Sequence, residues 1–385
     1  MTKNLLIEGW RGINHSYSLV NQYQLLELNK KDLSLYHHDV LPYRAEWNSE
    51  KNFAGFDQDS VDLISKIGDL PHNVSPDLTY RISYPYNFTP IDIGELFVFG
   101  TSEHQVINDD MVYEKNRIVQ YKNAPLKVIT PSNWSKKGFL NAGLRHEQIE
   151  VIPHGVDLSI FRPLDSDLRA DYRDMVGANK DNFVILVIGA MTENKGVDIL
   201  LDAYIQLKLK HPQILLVLKD QSNLYQFTAR DLVQLYCRQR GIDLTSSVIS
   251  QALSDIVLVS ENLNFTQLNG LYNAADCYVS PYRAEGFNLP PMEAAAAGTP
   301  IIVTKGGSTD DYVDPSFALQ IESKKIFKDG KYFLEPNLDS LVEKIESLIF
   351  KKNLELNSVN ARLFLESNFS WSKVTDKLSN LFFRK

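Results

Sequence analysis

Short apolar runs recur along this chain, and the stretches between them carry hydrophobic residues at helical spacing. Residues 4–9 (NLLIEG) predict a first buried strand, and 16–31 the helix after it, with Leu19, Val20, Tyr23, Leu25 and Leu26 near one stripe. Residues 33–38 (LSLYHH) predict a second strand. Residues 40–78 are acidic and mixed, with a helical piece around Ser60–Ile67. Further strands are expected at 79–86, 95–101 and 126–132, and a helix over 133–144 that ends near Gly143. Strands alternating with helices predict an α/β fold with a parallel, doubly wound sheet.

The alternation then restarts. Residues 149–164 (IEVIPHGVDLSIFRPL) hold Pro and Gly punctuation and little periodicity, as a linker does. Beyond it, strands are predicted at 182–191, 213–220, 255–260, 276–282 and 300–304, with a helix over 196–210. Two Rossmann-like domains follow, 1–160 and 161–368. The terminal stretch 369–385 has Trp371, Val374, Leu378 and Leu381 on one helical face. It is expected to pack back on the first domain.

Composition narrows the function. A chain of 385 residues is too long for one ordinary core. Its 44% hydrophobic and 23% charged residues are those of a soluble globular protein. A formal charge of −8 argues against non-specific nucleic-acid binding. Cys237 and Cys277 form neither a disulfide framework nor a metal-ligand spacing, which suits a reducing, cytoplasmic compartment. The apolar run at Leu5–Ile7 is too short for a signal peptide, and no segment is apolar enough to span a bilayer. No G-x-G-x-x-G follows a strand, which disfavours a dinucleotide oxidoreductase.

The densest chemistry lies in RAEGFNLPPMEAAAAGTPIIVT, residues 283–304. The strand before it places residues 283–289 at the carboxyl end of a sheet, where open α/β sheets bind ligands. Pro290 and Pro291 suit a first helical turn, which puts Glu293 in that turn; Gly298 and Pro300 stop the helix. Such a helix start attracts phosphate, and Gly286 lets backbone approach a ligand. Glu285 and Glu293 flank this site. Either alone reads as an ordinary loop or first-turn charge. Together they fit neutral hydroxyls, because a carboxylate only accepts hydrogen bonds. A nucleotide sugar supplies a diphosphate between two sets of hydroxyls.

EGFNLPPMEAAAAGTPIIVTKGGS resembles the E-x7-E signature of retaining GT-B glycosyltransferases of the GT4 family. Residues 128–164 are similar to that family's interdomain passage, and 187–196 (VIGAMTENKG) to its G-R-x-x-x-x-K-G loop. The resemblance implies two Rossmann-like domains facing each other across an interdomain cleft, the first for acceptor and the second for donor. It implies that Glu285 holds donor-sugar hydroxyls and Glu293 the ribose diol. Gly286, Phe287, Asn288 and Leu289 would present backbone N–H groups, and Lys195 would neutralise the diphosphate. One position departs: the family's arginine, five residues before the lysine, is Ala190 here. Lys219, at the end of the next strand, is the candidate to supply the lost charge, with Arg283 or Arg11 as substitutes.

In the first domain, residues 8–18 (EGWRGINHSYS) leave the first strand. Gly12 stands where relatives often have a Gly-Gly turn, with Trp10, Arg11, Asn14 and His15 around it. Trp10 is a candidate to stack on an acceptor sugar and Arg11 to reach a phosphate; Ser16 is the expected helix cap. His104 follows the strand at 95–101, and the resemblance places such a histidine near the donor sugar's reacting carbon. Tyr84, Tyr86 and Asn87 are weaker candidates for the acceptor side, and His154 for a hinge.

The implied activity is retaining transfer of a hexose from a nucleotide sugar to a glycan or lipid-linked saccharide, UDP-glucose-like donors first and GDP-mannose next. Neither cofactor nor metal is expected; the DQD at 57–59 and DSD at 165–167 read as surface acids. A nucleotide-sugar epimerase and a non-catalytic sugar-nucleotide-binding protein are the alternatives. Residues 1–160 hold 15 Lys and Arg against 20 Asp and Glu, a net −5, so any membrane contact is expected to be weak and peripheral.

Overall fold

The computed structural model describes residues 2–13, 15–42, 53, 55–221, 226–242, 248–350 and 358–383. The chain divides into two compact units, Met1–Gly155 with Ser367–Lys385, and Val156–Glu366. Each is built on a six-stranded, all-parallel sheet. The α/β expectation is met.

The first sheet has the order β2-β1-β3-β4-β5-β6. Its strands are β1 (Lys3–Gly9), β2 (Leu33–Asp39), β3 (Leu78–Ile82), β4 (Glu95–Phe99), β5 (Leu126–Thr130) and β6 (Ile149–Val151). β6 corrects the linker expectation for 149–164. Glu150 interrupts its apolar residues and Pro153 and Gly155 follow closely, yet Ile149–Val151 pair in register with Val128–Thr130. The strand order reverses between β1 and β3, so the loop after β1 lies at a switch point, where such sheets bind ligands.

The terminal segment is one helix, Trp371–Phe382, capped by Ser370, whose Oγ accepts from the Lys373 amide. It lies on the first unit's helix Ser16–Leu28. The Trp371 and Tyr23 rings stack at 4.7 Å, and Lys31 pairs with Asp376. Phe382 meets Tyr80 and Phe97, while Val374 and Leu378 are fully buried. A Cβ on Gly155 would come within 2.6 Å of the Trp371 ring, so glycine is required there.

The second sheet has the order β12-β11-β10-β7-β8-β9. Its strands are β7 (Phe183–Ile188), β8 (Ile214–Lys219), β9 (Val257–Val259), β10 (Cys277–Ser280), β11 (Ile301–Thr304) and β12 (Ala318–Ile321). The chain runs outward from β7 through β8 to β9, then returns to lay β10 against the other side of β7. The switch point therefore falls between β7 and β10. Helix Val197–Lys210 covers one face with Leu200, Leu201 and Leu207, none of them exposed. After β12 comes an antiparallel hairpin, β13 (Ser323–Lys328) and β14 (Lys331–Pro336), which the apolar pattern did not signal. Asp57 and Asp165, read above as surface acids, are helix caps: each carboxylate accepts amides of the turn that follows.

Trp371→Ala should lower the first unit's stability by about 3–5 kcal/mol, since it removes a stacked, buried indole. Chemical denaturation followed by circular dichroism measures this. A loss under about 1 kcal/mol would mean that the terminal helix is an accessory to the first unit's core.

Candidate active site

In the second unit, the loops leaving β7 and β10 meet at the switch point. β7 runs into Gly189, whose amide continues the ladder to the Lys219 carbonyl, and then into a tight turn at Glu193–Lys195. Gly196 follows in the left-handed region at φ 67°, and a Cβ there would sit 1.9 Å from the Pro281 carbonyl oxygen. Only glycine permits that approach. The Asn194 carbonyl accepts the amides of Arg283 and Ala284, and the Asn194 side chain returns a bond to the Ala284 carbonyl. These contacts bring Lys195 beside Glu285, and the two side chains form an ion pair. Glu285 is 5% exposed. A carboxylate so enclosed needs a partner.

β10 then leads through Gly286 and Phe287, both buried, to Asn288. Asn288 is left-handed, with φ 74°, and opens the helix Leu289–Ala296. Its side chain donates to Ser280 Oγ at 2.9 Å, and its carbonyl accepts the Tyr312 hydroxyl at 2.6 Å. Phe287 packs on the Tyr312 ring at 5.1 Å. The expectation that Glu293 lies in the first turn is corrected. The helix begins at Leu289, ahead of both prolines, so Glu293 is its fifth residue.

Glu293 Oε2 accepts the hydroxyl of Tyr272 at 2.7 Å. Enclosure pushes its carboxyl up to about 7, against the lowering effect of that bond. Tyr272 is fully buried on helix Phe265–Ala274. Neither Tyr272 nor Tyr312 was singled out in sequence. Both lie in segments whose aromatic residues read as core, and only the hydroxyl bonds reveal their role.

The remaining donor-side candidates divide. Ala190 is buried beside Gly189 and brings no charge. Lys219 is 6% exposed and donates to the Asp220 carbonyl; burial pulls its ammonium pKa down, and Asp220 and Glu261 oppose that. Arg283 is committed elsewhere. Its guanidinium forks onto Asp198 at 2.7 and 2.8 Å and donates to the Glu193 carbonyl at 3.0 Å. It braces the loops rather than standing in for the absent arginine.

In the first unit, the loop after β1 carries Gly12, at φ 71°, whose amide donates to Gln22. Two expectations are corrected here. Trp10 is 1% exposed and its indole N–H donates to the Leu41 carbonyl, so no ring face is open to a sugar. Arg11 forks onto Asp39 and donates to the carbonyls of Ile64 and Ile67, all at 2.8–3.0 Å, which leaves its guanidinium saturated and unavailable to phosphate. The cap of helix Ser16–Leu28 is His15 rather than Ser16: its Nδ1 accepts the Tyr17 amide. That bond fixes the neutral tautomer with the proton on Nε2, and burial lowers the pKa to about 4. His104 sits in the turn after β4, at the same sheet end. The Tyr17 hydroxyl lies 2.8 Å from Thr101 Oγ1 and 2.9 Å from the Tyr86 hydroxyl, which ties the His15 cap to that strand end. Tyr86 is thereby core, and His154 is buried beside Phe99 and Trp371. Asn14 lies outside the described residues.

Comparisons with known proteins bear on the fold and the family. Over its whole length the chain superposes on Anabaena HepE, solved with UDP and glucose, at TM-score 0.66 and 15% identity, covering all of both chains. A glycosyltransferase from Rickettsia africae gives TM-score 0.70 at 14% identity, covering 99% of this chain and 98% of that one. These likenesses show the fold, that of the two-sheet GT-B glycosyltransferases. The particular family follows from sequence. The family model described as Glycosyl transferases group 1 matches residues 169–361, half of the chain, and the chain belongs to that family. The D-inositol 3-phosphate glycosyltransferase of Arthrobacter sp. (strain FB24) is 30% identical over 186 residues, 48% of this chain and 40% of the relative. Mannosylfructose-phosphate synthase of Agrobacterium fabrum is 32% identical over 166 residues, 43% of this chain and 34% of the relative. The matched stretch thus spans well under half the length of these relatives. No helix among the described residues is long and apolar enough to cross a membrane.

Glu293→Gln should stabilise the protein at alkaline pH. A carboxyl raised from 4.5 to about 7 is held more tightly by its proton in the folded state, so ionising it costs stability as pH rises through that window. The neutral amide avoids a cost on the order of 3 kcal/mol above pH ~8, and the advantage should vanish below pH ~4.5. Melting temperatures of both proteins across pH measure the gap. A gap that does not change with pH would contradict the assignment.

Proposed function

We propose that this protein is a retaining hexosyltransferase that moves a sugar from a nucleoside-diphosphate sugar to a saccharide or lipid-linked saccharide. One observation carries the reading. The buried Glu285 and the partly buried Glu293 bracket the left-handed start of a helix at the sheet's switch point, and Lys195 is already paired with Glu285. The amides from Gly286 to Leu289 and the Lys195 ammonium supply positive charge for a diphosphate. Glu293 accepts from the ribose diol, and Glu285 from sugar hydroxyls. On this reading the diphosphate is neutralised by lysine and amides rather than by a metal.

The step needs no protein nucleophile. The bond between the sugar's anomeric carbon and the phosphate oxygen breaks, and an oxocarbenium-like sugar forms. The acceptor oxygen bonds to that carbon on the same face, and its proton passes to the departing phosphate. Lys195 stabilises the charge that grows on the phosphate, which is where electrostatic catalysis acts. Lys219, whose own carbonyl accepts the Gly189 amide at the start of the β7 loop, is the proposed source of the charge missing at Ala190. A neighbour solved with UDP-glucose supports a UDP-sugar donor first, and a relative named as a mannosyltransferase supports a mannosyl donor, for which GDP-mannose is our choice, next.

Incubation with a panel of nucleotide sugars, with free nucleotide and altered sugar detected by mass, tests the reading. Acceptor-stimulated nucleotide release is expected. Isomerised donor without an acceptor would indicate an epimerase, and binding without change a non-catalytic protein. Glu293→Ala should weaken nucleoside-diphosphate binding about 10- to 150-fold by calorimetry, the worth of hydrogen bonds to a charged group. Unchanged affinity would remove Glu293 from the ribose. Lys219→Ala should lower kcat if it supplies the missing charge; a native rate would discard that role.

A further inference from the structure

We propose that the hairpin formed by β13 and β14 docks the second unit onto an anionic bilayer, its lysines meeting headgroup phosphates and Phe327 entering the boundary beneath them. The hairpin stands at the ligand-binding end of the second sheet. The Leu334 amide donates to the Arg283 carbonyl at 2.8 Å, Arg283 lies 3.6 Å from Glu335, and Leu334 packs against Gly307. Its root is therefore fixed to the loop that carries Glu285. Its tip is a two-residue turn, Asp329 and Gly330, with φ 52° and 75°, which suits a tight hairpin that projects from the surface.

The side chains on that projection are unlike the rest of the chain. The protein carries a formal −8, yet Lys324, Lys325, Lys328 and Lys331 cluster here against Asp329 and Glu335. Among the described residues, Lys324, Lys328 and Lys331 make no ion pair, and all three are exposed. Phe327 is 61% exposed, with its ring 4.7 Å from Tyr332, and the Lys325 ammonium lies 4.2 Å over the Tyr332 ring. An exposed aromatic costs solubility and contributes little to this fold. Aromatic rings beside lysines are what a headgroup layer takes up, the ring at the acyl boundary and the ammonium groups at the phosphates. Lysines act as point charges and suit a diffuse anionic surface, whereas forked recognition of one carboxylate favours arginine. Nucleic acid, also anionic, offers no acyl boundary to take up the exposed Phe327 and is the poorer occupant. The proposal rests on the transferase reading only in giving the docked enzyme a lipid-linked acceptor to meet.

Co-sedimentation of the full chain with vesicles of phosphatidylcholine alone, or mixed with phosphatidylglycerol, tests it without any turnover. Binding is expected only with phosphatidylglycerol, and it should weaken as salt rises. Each lysine neutralised near such a surface costs about fivefold in partitioning, so Lys328→Gln with Lys331→Gln should lose about thirtyfold. Phe327→Ser should lose binding severalfold with an unchanged melting temperature. Equal binding to both vesicles, no binding to either, native binding by the variants, or retention on duplex DNA with indifference to vesicles would overturn the proposal. Nucleotide release to a water-soluble acceptor should stay native in both variants, so failure of docking is read separately from failure of the catalytic assignment.

Discussion

An ammonium and a carboxylate carried by two loops ninety residues apart in sequence meet at the centre of the second unit. The Lys195–Glu285 pair exists only because Gly196 lets one loop ride against the Pro281 carbonyl and Asn194 laces it to the other. A carboxylate as enclosed as Glu285 would be costly alone, and the lysine offsets that cost. On the proposed function the same pair is poised for exchange. A phosphate is a better partner for the lysine than a carboxylate already served by hydroxyls, and sugar hydroxyls are adequate partners for the glutamate. On that reading the pair holds both charges in place until a ligand replaces each half of it.

Buried tyrosine hydroxyls set the rest of the site. Tyr312 holds the carbonyl of left-handed Asn288, which aims the amides that open the helix, and Tyr272 holds one oxygen of Glu293. Glu293 stays ionisable with its pKa at about 7, in a place where a neutral residue would be more stable. Strain at Asn288 and a carboxylate kept at a cost to stability are what a binding site retains and a plain core removes.

Much of this was legible in sequence. Ten of the twelve strands in the two parallel sheets fall where apolar runs predict them, β6 and β12 being the exceptions, and the E-x7-E stretch stood out because its glycine, prolines and glutamates each demand a conformation or partner. What was not legible has physical reasons. β6 is Ile-Glu-Val, its apolar residues interrupted by Glu150 and closely followed by Pro153 and Gly155. The helix start slipped because prolines mark a first turn only to within a residue or two, and a left-handed Asn288 set it earlier. Trp10 and Arg11 resembled ligand-binding residues at a strand end. Their partners, Leu41, Asp39, Ile64 and Ile67, are distant in the chain and nothing in the local pattern announces them. His15 capped a helix through an imidazole nitrogen, an acceptor outside the usual cap residues.

The most direct measurement is a crystal structure of the protein with uridine diphosphate bound. The account predicts the nucleotide at the β7–β10 switch point, with both ribose hydroxyls on Glu293 and the Lys195 ammonium moved from Glu285 to a phosphate oxygen. A nucleotide bound elsewhere, with the Lys195–Glu285 pair intact, would contradict it.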